Sequence, residues 1–118
     1  MFFVLFGVKT SDIEIAREWL NEVLPIAAQG RNNEYVGDYY VYGKRGGERV
    51  KLCSGISQDE DGKYPTEEEF PDQNVIIYVD QTTVNSTNLR AIESRPDRFV
   101  KLREDRSAEE VSVSKAEG

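Results

Sequence analysis

Two runs with almost no polar interruption, Phe2–Val8 (FFVLFGV) and Val75–Val79 (VIIYV), limit what this 118-residue chain can fold into. A strand that is apolar on both faces has to be covered on both, so each run belongs inside a sheet. The first run reaches Lys9 too early, and lacks the basic start, to be a signal peptide. It is also too short to span a bilayer.

The rest of the chain arranges itself around these two strands. Ile13, Ala16, Trp19, Leu20, Val23 and Leu24 recur at helical spacing, with Glu14, Arg17, Glu18, Asn21 and Glu22 opposite them. Ser11 and Glu14 fit a capping box at the start of this helix, and Pro25 stops it. Gln29–Asn33 is polar and reads as a loop. Glu34–Gly43 is rich in Tyr and Val and predicts a strand, with Tyr35, Tyr39 and Val41 on one face. Val36, Asp38, Tyr40 and Tyr42 fall on the other. Lys44–Gly47 supplies a glycine-containing turn into a second strand, Glu48–Ile56. Further on, Asn85, Ser86 or Thr87 caps a short helix carrying Leu89 and Ile92 that closes before Pro96. Arg98–Arg103 is a final strand. From Glu104 the chain is polar, which predicts a folded domain over 1–103 and a disordered tail over 104–118.

The resulting order, β-α-β-β-β-α-β, predicts an α+β two-layer sandwich. Its sheet is mainly antiparallel with about five strands, both helices lie on one face, and the plan is a variant of the ferredoxin-like one.

Charge is distributed unevenly. Ser57–Asn74 holds Asp59, Glu60, Asp61, Glu67, Glu68, Glu69 and Asp72 against Lys63 alone, which is −6 of the whole chain's −7. Such density between strands is costly in self-repulsion and contributes nothing to a core. A long connection without structure of its own is uncommon unless it has a function. This one interleaves Tyr64 and Phe70 with its acids, the usual anatomy of a recognition surface. Asp38, Tyr39 and Tyr40 on the first hairpin strand extend that surface if they stand exposed.

Several chemistries are disfavoured. The chain has no histidine, so the commonest general base and metal ligand are missing, along with Ser-His-Asp and Cys-His arrangements. Cys53, the single cysteine, lies mid-strand and reads as a core thiol in a reducing, cytoplasmic protein. An EF-hand frame can be laid over Ser57, Asp59, Asp61, Gly62 and Glu68, but Ser57 replaces the first Asp and Pro65 interrupts the loop. The expectation is therefore no metal, no cofactor and no catalytic residue. The negative balance also disfavours nucleic acid and anionic membranes as partners, although Lys44, Arg45, Arg49 and Lys51 form one modest basic cluster.

In its size, its acidic balance and its compact α+β pattern the chain resembles the small immunity proteins that bacteria make alongside secreted toxins, including those of contact-dependent growth inhibition. The resemblance implies a non-enzymatic inhibitor that holds a basic cognate toxin, often a nuclease, in the cytoplasm. It also implies that Asp59–Asp61 and Glu67–Glu69 engage Lys and Arg on that toxin. Two other readings stay open. One is a small-ligand or enzymatic domain with a pocket between helices and sheet near Asp38, Tyr40 and Arg17. The other is a self-associating module, so that the chain is a monomer or a homodimer.

Overall fold

The computed structural model describes residues 1–106. Their elements are β1 (Phe2–Val8), α1 (Ile13–Val23), β2 (Ala28–Asn33), β3 (Gly37–Gly43), β4 (Arg49–Ser54), β5 (Ile56–Asp59), β6 (Gly62–Pro65), β7 (Val75–Thr82), α2 (Thr87–Glu93) and β8 (Phe99–Asp105). Six strands form one sheet in the order β2-β3-β4-β7-β1-β8, with every neighbouring pair antiparallel. β5 and β6 pair only with each other. The fold is thus α+β with an antiparallel sheet, as expected, but the strand number and order differ. Three strands account for the difference: β2 widens the sheet at one edge by pairing with β3, and the β5–β6 hairpin is inserted after β4. Without β2, β3, β5 and β6, the remaining elements run β-α-β-β-α-β.

Both apolar runs sit centrally, and alternation splits each between two cores. Phe2, Val4, Phe6 and Val8 of β1, with Val75, Ile77 and Val79 of β7, face Ala16, Leu20 and Leu24 of α1 and Leu89 and Ile92 of α2. Leu5, Ile76 and Cys53 point the other way and form a smaller core with Phe3, Val36, Tyr39, Phe70, Tyr78 and Leu102. Each fully buried Leu or Ile adds roughly 1.5–3 kcal/mol of transfer free energy. The second core is covered by the chain between β6 and β7. That segment crosses so closely that a Cβ built on Gly55 would fall 1.9 Å from the Gln73 carbonyl oxygen, and one on Gly7 2.1 Å from the Gln73 side-chain oxygen. At Gly55, where the neighbour is backbone, only glycine allows this approach.

Several local expectations are corrected. Asp12, not Ser11, caps α1, its carboxylate accepting from the Glu14 amide at 2.9 Å. Residues 29–33, read as a loop, belong to β2. As an edge strand solvated on both faces, β2 has no need of apolar alternation. The tyrosine-rich strand starts at Gly37 because Glu34–Val36 form the β2–β3 turn, fixed by the Asn33 side chain accepting from the Tyr35 amide at 2.7 Å. Glu104 and Asp105, assigned to a disordered tail, extend β8 beside β1; the rest of that predicted tail, from Ser107, lies outside the described residues.

One polar anchor joins the layers. β7 bulges near its end, since Val4 pairs with Val79 but Phe2 pairs with Thr82, and Gln81 there has a φ of 53°. The extra residue puts Thr82 on the helix face, fully buried. Its hydroxyl donates to Glu48 at 2.5 Å, Asn88 Nδ2 donates to the same carboxylate at 2.7 Å, and Ser86 Oγ donates as well. Ser86 also caps α2, accepting from the Leu89 amide at 3.1 Å.

Candidate functional site

The acidic stretch is not an unstructured loop. Its first part is the β5–β6 hairpin, in which Ser57 pairs with Tyr64 and Asp59 with Gly62. The tip is closed by the Asp59 carboxylate accepting from the Asp61 amide at 2.8 Å, and Gly62 follows with a φ of 124°. Ser57 is buried against the Thr66 hydroxyl at 2.7 Å, so the residues laid over a calcium loop form a β-hairpin instead. Among the described residues, no group of three or more Cys, Asp and Glu is arranged to hold a metal ion.

The hairpin is tied to the β2–β3 turn by the Gln58 amide donating to the Tyr35 carbonyl at 2.8 Å. Between hairpin and turn lies an open depression of about 510 Å³ lined by Glu34, Tyr35, Gln58, Asp59, Glu60 and Asp61. Four of these six residues are carboxylates, and none of the four forms an ion pair among the described residues. The Glu34 carboxylate beside the Tyr35 phenol raises its pKa above the ordinary value, with smaller contributions from Tyr64 and Asp59. Tyr35 is 48% exposed, Ile56 42% and Tyr64 40%. Among the described residues, three of the seven large hydrophobic ones standing in solvent therefore gather at this hairpin and turn. Aromatic rings next to bare carboxylates form a surface that attracts cations and has apolar area to bury.

The second part of the stretch is built differently. Glu67 accepts from the Tyr78 hydroxyl at 2.6 Å and lies 3.9 Å from an Arg103 guanidinium nitrogen, which is 3.2 Å from Glu69. Phe70 packs into the second core. Burial and the Glu67 hydrogen bond together push the Tyr78 phenol far above its ordinary pKa. Glu68 and Asp72 remain exposed.

The remaining candidates are scattered by strand alternation. Asp38 accepts from the Asn32 side-chain amide at 3.0 Å. Tyr39 lies on the second face with Lys51 Nζ 4.9 Å from its ring centroid. Tyr40 faces the helices, donating to Glu14 beneath the Arg17 guanidinium at 5.0 Å. Arg17 and Tyr40 meet at Glu14, which binds both, while Asp38 is engaged by Asn32. Cys53 is buried, which raises its thiol pKa to about 11.

Glu34 and Tyr35 were missed as site residues because a strand was read through them. The Asn32-Asn33 pair just ahead of them, typical of turns, was the available signal. No protein-family model, curated protein or solved structure matches the chain.

Proposed function

We propose that this chain is a non-catalytic, immunity-type inhibitor that captures a basic cognate protein in the cytoplasm. The carrying observation is the acidic depression, where Glu34, Asp59, Glu60 and Asp61 surround exposed Tyr35 beside exposed Tyr64. Two rings anchor the contact through buried area, and the carboxylates accept charge-assisted hydrogen bonds from Lys and Arg of the partner. Glu68 and Asp72 add to the attracting field. Glu67 and Phe70 are left out, since they hold this chain together. In support of a cytoplasmic place, no described helix is long and apolar enough to cross a membrane, and the one thiol is free.

The test is co-expression with a basic C-terminal toxin domain encoded beside this chain. The wild type rescues growth and co-purifies with the domain. The variant Asp59→Asn/Glu60→Gln/Asp61→Asn loses both while keeping its thermal transition. Association with the wild type slows by about tenfold from low to physiological salt, because steering is screened. Full rescue by the variant removes the hairpin from the function.

A further inference from the structure

The chain's cations are also concentrated. β2, β3, β4 and the β3–β4 turn enclose a second open depression of about 530 Å³, whose lining includes Arg31, Lys44, Arg45 and Arg49 and no carboxylate. Among the described residues none of these four forms an ion pair. Arg31 donates instead to the Gln29 side chain at 3.2 Å. Like charges that the fold brings together repel each other and attract an anion.

The rest of the molecule decides which anion fits. Without these four cations the −7 of the chain becomes −11, so a polyanion long enough to run past the depression meets repulsion. A compact anionic group does not, and the hairpin tip Asp59–Asp61 is such a group. β3 separates the two regions: Glu34 and Tyr35, just before its first residue, line the acidic depression, and its last residue, Gly43, lines the basic one. Six steps of extended chain put Gly43 and the adjoining Lys44 and Arg45 about 20 Å from Gly37, beyond the reach of the same chain's tip, while Arg31 on β2, opposite Tyr39, lies nearer.

We infer that a second copy of this chain is the occupant, with the acidic tip of one protomer seated against Arg31, Lys44, Arg45 and Arg49 of the other. Complementary regions at opposite ends of one hairpin let a two-fold pair make both contacts at once. The contacts are exposed charge pairs, individually weak and screened by salt, so the dimer forms at high protein concentration and low ionic strength. It covers the carboxylates that the proposed function offers to a foreign cationic surface, so self-association and partner capture exclude one another.

Light scattering and sedimentation of the full chain test this, at concentrations up to about 1 mM in roughly 20 mM and 500 mM NaCl. The expected mass rises toward twice 13.4 kDa in low salt and returns to that of one chain in high salt. Arg45→Glu/Arg49→Glu and Asp59→Lys/Asp61→Lys, each with an unchanged circular dichroism spectrum, weaken the dimer by roughly tenfold or more. An equimolar mixture of the two recovers part of it, because the unchanged tip of one variant then meets the unchanged depression of the other. A wild type that stays monomeric at low salt overturns the inference, as does a dimer indifferent to both variants. A labelled single-stranded oligonucleotide that binds a monomeric wild type but not Arg45→Glu/Arg49→Glu overturns it in favour of nucleic acid. Toxin capture is measured with a separate protein, so failure here leaves the proposed function standing.

Discussion

Asp59–Asp61 and Glu67–Glu69 are two acidic triplets in one stretch of chain, similar in sequence and opposite in use. The first caps a hairpin in solvent and has no cationic partner within the described residues. In the second, Glu67 accepts from Tyr78 and both outer residues lie near Arg103. The difference comes from what lies beneath. Under the second triplet the sheet face carries an apolar core that must be covered, and Phe70 covers it only if its neighbours are pinned. A carboxylate near such a core is worth keeping when a partly buried hydroxyl and a guanidinium satisfy it. Charge density alone therefore does not distinguish the two triplets; carboxylates without a cationic partner beside exposed rings do.

The largest test of this contrast is Phe70→Ala, which uncovers the core around Leu5, Cys53 and Ile76. It costs about 2–4 kcal/mol in denaturant unfolding and makes Cys53 react with thiol reagents in the folded protein. An unreactive Cys53 and unchanged stability would mean the second triplet is as free as the first.

Alkaline unfolding probes both cores, the second through Cys53 and the helix-facing one through Tyr42. The Cys53 thiol is held up at about 11 and the Tyr42 phenol at about 12, both by burial. The folded state then keeps protons that the unfolded chain has released, so stability is complete below about pH 9 and falls as pH rises toward 12. Cys53→Ala flattens the part of that slope between about pH 9 and 11. A slope identical to wild type would contradict a buried thiol.

Glu67→Gln gives the Tyr78 hydroxyl a weaker acceptor to donate to and removes one partner of Arg103, and it costs about 1–2 kcal/mol by thermal unfolding. The smallest effect belongs to the first triplet. Asp59→Asn/Glu60→Gln/Asp61→Asn changes stability by no more than about 0.5 kcal/mol in either direction. Equal costs for these two variants would erase the distinction drawn between the triplets.

Legibility from the sequence followed the same physics. β1 and β7 were readable because strands buried on both faces leave continuous apolar runs, and α1 because Ala16, Leu20 and Leu24 bury one helical stripe. β2 was not readable: AQGRNN is mostly solvated on both faces and held chiefly by backbone pairing to β3. The β5–β6 hairpin was hidden for the same reason, since its strands are four residues each and mostly exposed. The acidic character of the site was visible in composition, but the pairing of Tyr35 with the tip was not. That contact crosses from one turn to another hairpin through a backbone bond between Gln58 and Tyr35, and backbone bonds leave no mark in side-chain identity.

The Glu48 carboxylate has a dynamic consequence. Because Thr82, Ser86 and Asn88 all donate to it, the β3–β4 turn, the end of β7 and the first turn of α2 cannot breathe separately. Amide protons in those three places should exchange with solvent in concert, through one shared opening event. Lys44 and Arg45, on the same turn, are thereby carried on a rigid mount instead of a swinging arm.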